Sequence, residues 1–250
     1  MRDKKRAFDE LRSIKIKPDY LDFADGSAYI ELGKTQVIAA ATIEEKVPAF
    51  MKNSSSGWIT AEYSMLPRST QKRTTRERIL GRLSGRTQEI QRLIGRSLRA
   101  VTELSVLGER QIILDCDVIQ ADGGTRAASI IAGCVALALA LKKMMDEGKI
   151  EEMPLKHLVS AVSVGLLDGD TLLDLDYQED SNAEVDMNVV ETDTGQIIEV
   201  QATAEKNPFS RKQLDSLLNL AHKGIKEIIQ HQKEVLKKKS LLFMAYGEKK

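Results

Sequence analysis

Residues 111–148 read QIILDCDVIQADGGTRAASIIAGCVALALALKKMMDEG. The first part, 111–119, has the apolar and β-branched make-up of a strand. The pair Gly123-Gly124 ends it, and the chain then turns apolar until about Met145, where Asp146, Glu147 and Gly148 stop it. That pattern predicts a buried helix directly after a glycine turn. Its most apolar run, 127–141, is 15 residues long and closes on Lys142 and Lys143. About 20 residues are needed to cross a bilayer, so the run reads as a core helix and not an anchor.

Upstream, strands are expected over 11–17, 29–32 and 35–43, with Gly33-Lys34 as the turn between the last two. A further strand at 57–66 follows the flexible stretch Asn53-Ser54-Ser55-Ser56. From 76 to 101, Ile79, Leu83, Ile90, Leu93, Ile94, Leu98 and Val101 recur at helical spacing, as one helix or as two joined near Ser84 and Gly85. Downstream, strands are expected at 158–167 and 172–176, then a hairpin of 185–191 with 196–203 around Thr194 and Gly195. A last helix runs from Ser210, a plausible N-cap, to about 238. Two hairpins, each leading eventually to a helix, form a loose pseudo-duplication of βα units. No linker separates them, and the expected product is a single α+β domain of mixed sheets packed with helices.

With 250 residues, 42% hydrophobic and 30% charged, the chain has the profile of a globular protein. Its 37 basic and 37 acidic residues cancel, so net charge gives no hint of a polyanionic partner. Cys116 and Cys134 fall in a strand and a helix, as reduced, buried thiols would. The start, Met1-Arg2-Asp3-Lys4-Lys5, lacks the apolar stretch of a secretory signal, and a cytoplasmic location with no membrane attachment is expected. His157, His222 and His231 show no nucleophile or metal spacing, which leaves serine–histidine hydrolase chemistry without support.

The distribution of charge says more than its sum. Ten basic residues lie between 68 and 99 (Arg68, Lys72, Arg73, Arg76, Arg78, Arg82, Arg86, Arg92, Arg96, Arg99) against Glu77 and Glu89. Nine are arginine, whose planar fork grips phosphate in two-pronged fashion. Arg92, Arg96 and Arg99 are spaced to share one helix face. A merely solvated face would alternate in sign, and this one hardly does, so RNA or phosphate binding is expected. In Ala121-Asp122-Gly123-Gly124-Thr125-Arg126, a helix start offers unpaired N–H groups beside a hydroxyl and a guanidinium, the makings of an anion cradle. A plain turn before a helix would also use Gly-Gly. Gly33-Lys34-Thr35 resembles the end of a nucleotide-binding phosphate loop, but Ala28 stands where that motif needs glycine and a strand follows.

From 157 to 205 there is no Lys or Arg, while twelve residues are acidic, among them Asp174, Asp176, Glu179, Asp180, Glu184, Asp186 and Glu205. Such a stretch repels itself unless something positive lies close. After Ala183, alternation puts Glu184, Asp186 and Asn188 on one face and Val185, Met187 and Val189 on the other. Oxygen ligands on one face suit Mg²⁺ or Mn²⁺; a solvent-facing strand edge blunted by charge reads the same way. An arginine patch, an anion cradle and a carboxylate pair are together the parts that phosphoryl transfer needs.

The same residues carry a resemblance. GWITAEYSMLPRST at 57–70, SGRTQEIQRLIGR at 84–96, DCDVIQADGGTR at 115–126, and LDLDY at 173–177 running through Asp180 to EVDMNVV at 184–190 resemble the bacterial ribonuclease PH family, in order and from about residue 9 to 232. The catalytic subunit of the archaeal exosome shares the fold, but 58–70 and 123–126 look more like the bacterial enzymes. The resemblance implies a ribonuclease PH-type domain over 1–240, related in fold to the second domain of a small-subunit ribosomal protein, with a tail at 241–250. It implies a homohexamer, a trimer of dimers, that trims transfer RNA precursors and other RNA 3′ ends with inorganic phosphate and releases nucleoside 5′-diphosphates. By motif, Arg86, Gly124, Thr125 and Arg126 would bind phosphate. Asp180 and Asp186 would be catalytic, holding Mg²⁺ or Mn²⁺ or assisting proton transfer. Arg68, Arg73 and Arg76 would guide RNA, alongside Arg92, Arg96 and Arg99 of the basic patch. Departures from the family pattern, Ser13 for proline, the 53–56 stretch and Ser64 for glycine, touch loops alone. The alternative is a non-catalytic RNA-binding ring subunit of exosome type.

Overall fold

The computed structural model describes Arg2 and residues 6–242. Of the expected tail at 241–250, residues 243–250 lie outside the described residues; Leu241 packs on the core and Leu242 is exposed. Nine strands and five α-helices follow one another among the described residues: β1 (Ile14–Pro18), β2 (Gly26–Leu32), β3 (Thr35–Glu44), β4 (Trp58–Met65), α1 (Glu77–Leu80), α2 (Gly85–Ala100), β5 (Gln111–Gln120), α3 (Thr125–Asp146), β6 (Val159–Leu167), β7 (Asp170–Leu173), α4 (Tyr177–Asn182), β8 (Val185–Thr192), β9 (Ile197–Ala204) and α5 (Arg211–Lys237).

The strands form two sheets, in order β1-β2-β3-β5-β4 and β7-β6-β8-β9. Every pairing is antiparallel except β4 with β5, which are joined by the helical crossover through α2. The helix predicted after the glycine pair lies between the sheets, packing on β2, β3 and β5 of one and on β6 of the other. That placement explains its composition, because a helix covered on all sides has no use for a polar stripe. By length and hydropathy its 22 residues would span a membrane, but 83% of its apolar window is buried in the protein, so it is the core. The thiol of Cys134 lies on this helix and that of Cys116 on β5, both buried and unbridged. One continuous cluster of buried side chains takes in both sheets together with α2, α3 and α5. This is an α+β fold of mixed sheets and helices.

Local chemistry sets most boundaries. Gly81 takes a left-handed conformation (φ +70°) that ends α1, and the Ser84 hydroxyl accepts from the Thr87 N–H at 3.1 Å to start α2, which decides for two helices. Ser210 caps α5 in a reciprocal pair with Gln213. Two expectations need correction. The strand over 11–17 begins only at Ile14, because the Arg12 backbone N–H donates to Asp174 Oδ2 at 2.9 Å in place of a ladder partner. The strand over 172–176 ends at Leu173, since Asp174 is left-handed (φ +54°) and the Asp176 side chain accepts from the N–H groups of Gln178 and Glu179 to cap α4. Six residues of helix carry too little periodicity to be legible in sequence.

Candidate active site

At the start of α3 the two glycines do distinct work. Gly123 (φ +76°) and Gly124 (φ +66°) are both left-handed, and a Cβ on Gly123 would lie 2.5 Å from the Leu175 carbonyl oxygen. Glycine is therefore required where the loop passes the acidic segment. Gly124 is the N-cap and supplies no side-chain acceptor, so the first N–H groups of α3 keep no capping partner. Beside them the Tyr63 hydroxyl is 2.9 Å from Thr125 Oγ1. Arg126 Nη2 donates to Glu89 Oε2 at 2.9 Å, and Gln201 Nε2 holds the other Glu89 oxygen at 3.1 Å. Arg126 Nε is buried and has no hydrogen-bond partner among the described residues.

Strand β8 faces this helix start. Its alternation is as expected, with Val185, Met187 and Val189 buried and the Asp186 side chain on the opposite face, 3.4 Å from Asn188 Nδ2. Asp186, Asn188, Glu89, Arg126 and Gln201 line a cleft of about 490 Å³. Asp186 Oδ1 is buried without a hydrogen-bond partner among the described residues. Burial, and then the charge of Asp180, push the Asp186 carboxyl up to about 6; Arg126 and Arg86 pull in the other direction. Asp180, open to solvent on α4, is raised by the protein mass around it, again against Arg86 and Arg126. Two carboxylates and two guanidiniums expected from sequence are thus brought into one electrostatic group with Thr125. Arg86 is exposed in a cleft of about 730 Å³ that Tyr63 also lines.

The oxygen donors fit a hard divalent cation in part. Asp186 Oδ1 lacks a partner among the described residues, and both carboxyls are raised above the usual carboxylate range, so each holds a proton or attracts a cation more strongly than a solvated carboxylate does. Among the described residues no three His, Cys, Asp or Glu side chains converge as a cage. Asp180 and Asp186 would therefore share the ion with water and substrate oxygens, a usual arrangement for Mg²⁺.

The arginine patch divides. Arg73, Arg76, Arg86 and Arg92 are exposed, and their side chains make no hydrogen bond or ion pair with the described residues. Arg68 reaches only the Gln71 carbonyl. Arg92 and Arg96 share the solvent face of α2, where Arg96 meets Glu199 at 2.6 Å. Arg99 does not join them: it turns under β4, donates to the Ile59 carbonyl at 2.7 Å, and lies 4.3 Å from the Trp58 ring. Cation–π attraction and the carbonyl together outcompete solvent there.

Several supporting groups escaped the sequence reading. Thr35, discounted with the false phosphate loop, accepts from the Asp122 N–H at 2.9 Å and donates to the Gly123 carbonyl at 2.6 Å, so it pins the cradle from β3. The positive partners that the acidic stretch demands come from the other end of the chain. Arg2 and Arg6 meet Glu179 at 2.6 and 2.7 Å, and Arg12 meets Asp174 at 2.7 Å. Only the self-repulsion of the acidic run hinted at them.

Family models of the 3′ exoribonuclease family match the chain over residues 10–143 for domain 1 and 157–224 for domain 2. Ribonuclease PH of Moorella thermoacetica is 60% identical over 231 residues, covering 92% of each chain. That of Syntrophomonas wolfei is 55% identical over 235 residues, 94% of this chain and 98% of the relative. Neisseria meningitidis ribonuclease PH is 56% identical over 231 residues, 92% and 96% of the two chains. Among solved structures, the Archaeoglobus fulgidus exosome with RNA bound to the active site matches with a TM-score of 0.77 at 20% identity over 90% of both chains. An archaeal exosome core matches with 0.73 at 20% identity, over 91% of this chain and 89% of that one. Those two likenesses concern the fold.

Proposed function

The chain belongs to the ribonuclease PH group of the 3′ exoribonuclease family, and on that premise we propose how its residues divide the work. The protein is a phosphorolytic 3′-to-5′ exoribonuclease, a nucleotidyltransferase of transfer RNA processing that takes inorganic phosphate as co-substrate. An oxygen of orthophosphate attacks the last phosphodiester phosphorus, the bond from phosphorus to the 3′ oxygen breaks, and that oxygen takes a proton. The products are a nucleoside 5′-diphosphate and an RNA one residue shorter.

In our reading the phosphate sits on the free N–H groups that follow Gly124, with Thr125 beside it and Arg126 and Arg86 on either side. Two unit charges 4 Å apart repel by about 4 kcal/mol at an effective dielectric of about 20, so attack of one anion on another needs both guanidiniums. One observation carries the assignment: Arg126 Nε and Asp186 Oδ1 are both buried, both unpartnered among the described residues, and both belong to residues that line one cleft. Buried polar atoms left open at such a cost mark the place of a ligand. Asp186, held up to about 6 by its surroundings, is suited to hand its proton to the leaving 3′ oxygen. In the alternative, with both carboxyls ionised, Asp180 and Asp186 would hold a Mg²⁺ or Mn²⁺ ion, which would supply Lewis-acid stabilisation of charge on that oxygen in place of the proton.

RNA would reach the site past Arg68, Arg73 and Arg76, whose loop is tied to the cradle by the Ala121 N–H on the Ser69 carbonyl at 2.9 Å. Arg92 and Arg96 extend the same basic surface. Precursors of transfer RNA are the proposed substrates, and the cytoplasm the proposed location. The unit is taken as one ribonuclease PH-type domain over 1–240, assembled as a trimer of dimers. Ile79, Leu80 and Leu83, exposed beside the RNA loop, give that assembly apolar surface to cover; sedimentation as a monomer would overturn it.

Replacing Arg126 with Ala and measuring diphosphate release against phosphate concentration tests the assignment. Loss of a charged hydrogen-bond donor predicts a rise in the phosphate KM of about tenfold or more. Unchanged phosphate saturation contradicts it.

A further inference from the structure

We infer that Arg12 is a positioning residue of the active site, its single guanidinium holding the phosphate loop and the acidic segment in fixed register. The side chain is 8% exposed. Nε and Nη2 grip the Asp174 carboxylate at 3.0 and 2.7 Å, and the Arg12 backbone N–H adds a third bond at 2.9 Å. The rest of the fork turns to the phosphate loop, where Nη1 donates to the Asp122 carbonyl and Nη2 to the Gly123 carbonyl at 3.4 Å. A Cβ on Gly124 would lie 2.9 Å from Nη2, so the guanidinium sits directly against the residue that caps α3.

What Arg12 grips on the other side matters as much. Asp174 is 1% exposed and sits at φ +54°, in the left-handed region that Asp enters more readily than most side chains, with its carboxylate fixed by the three bonds from Arg12. Two residues on, Asp176 caps α4, and α4 carries Asp180. The neighbouring groups each serve one side: Thr35 holds the loop, while Arg2 and Arg6 hold Glu179 and the segment around it. Arg12 spans both, and so sets the place of the Gly124–Arg126 amides relative to the carboxylate wall. A lysine there would keep a charge for Asp174 but, being a point charge, would lose the fork that reaches two carbonyls.

The inference rests on reading 124–126 as the phosphate cradle, and the experiment separates the two. Arg12→Lys and Arg126→Ala are purified in parallel, and inorganic phosphate binding without RNA is measured by equilibrium dialysis, together with kcat and the separate KM values for phosphate and RNA. For Arg12→Lys the phosphate KM and dissociation constant should rise roughly tenfold to a hundredfold, since displacements of about 1 Å have effects of that size, with the RNA KM within about twofold. Should Arg12→Lys not fold, Arg12→Gln with Asp174→Asn, which leaves no lone buried charge, is read against the same values. Unchanged phosphate binding in the folded variant, or equal losses for RNA and phosphate, overturns the inference. If Arg126→Ala also binds phosphate normally, the cradle reading itself has failed; if Arg126→Ala loses phosphate and Arg12→Lys does not, the inference alone has failed.

Discussion

Arg126, at the start of α3, and Asp186, on β8, line one cleft, and each brings to it a buried polar atom that none of the described residues satisfies. One is a cationic N–H and the other a carboxylate oxygen, so the cleft is prepared for an anion and for a proton or cation at once. Its wall is built from distant parts of the chain: Glu89 of α2 orients Arg126, and Gln201 of β9 orients Glu89.

Asp186 gives a pH signature. Burial first, then Asp180, raise its carboxyl to about 6, so the folded state binds that proton more tightly than the unfolded chain, whose carboxyl titrates near about 3.9. The stability this contributes is complete below the unfolded value and is lost as pH rises through about 6. Thermal unfolding in chelator between pH 4 and 7 should show wild type falling relative to Asp186→Asn, the two carboxyls titrating as a pair. The same variant should lose about 10²-fold or more in turnover while RNA binding stays near normal. Parallel stability curves, or loss of RNA binding, contradict the assignment.

The glycines offer a paired comparison. Gly148, past the end of α3, is left-handed (φ +68°) with open space around it, so Gly148→Ala should cost only the conformational penalty of about 1–2 kcal/mol. Gly123→Ala carries that penalty and also drives a Cβ against the Leu175 and Asp176 backbone. Denaturant unfolding should show it clearly the less stable of the two, and its phosphate KM should rise while that of Gly148→Ala does not. Equal effects on both would remove the cradle's steric argument.

The side chains of Arg73 and Arg76 are exposed with no partner among the described residues, whereas Arg99 is engaged with Trp58 and Ile59. Arg73→Ala and Arg76→Ala should each weaken RNA binding and reduce the slope of log affinity against log salt by about 0.7. Arg99→Ala should leave that slope alone and lower stability by about 1–2 kcal/mol through lost packing and cation–π attraction. A salt slope that responds to Arg99 and not to Arg73 or Arg76 would reverse the proposed RNA path.

Regular periodicity made the framework legible. The alternation of β5 and β8, the uniform apolarity of α3 and the capped amphipathic α5 each satisfy a pattern that neighbouring residues enforce. The cradle was legible because glycine, a helix start and an arginine lie within a few residues of one another. Thr35, Arg12 and Tyr63 were not, since each meets the loop from a strand or an N-terminal segment 60 to 110 residues away in sequence. Arg99 shows the opposite error: spacing set it on the same helix face as Arg92 and Arg96, and Trp58 with the Ile59 carbonyl on the preceding strand β4 decides that it turns inward.

The most direct test of the central claim is the identity of the products. Purified protein incubated with a 3′-extended transfer RNA and orthophosphate should release nucleoside 5′-diphosphates, and trimming should stop when phosphate is removed enzymatically from the buffer. Undiminished trimming without phosphate, with nucleoside monophosphates released, would mean that water is the nucleophile and that the cleft around Arg126 has another purpose.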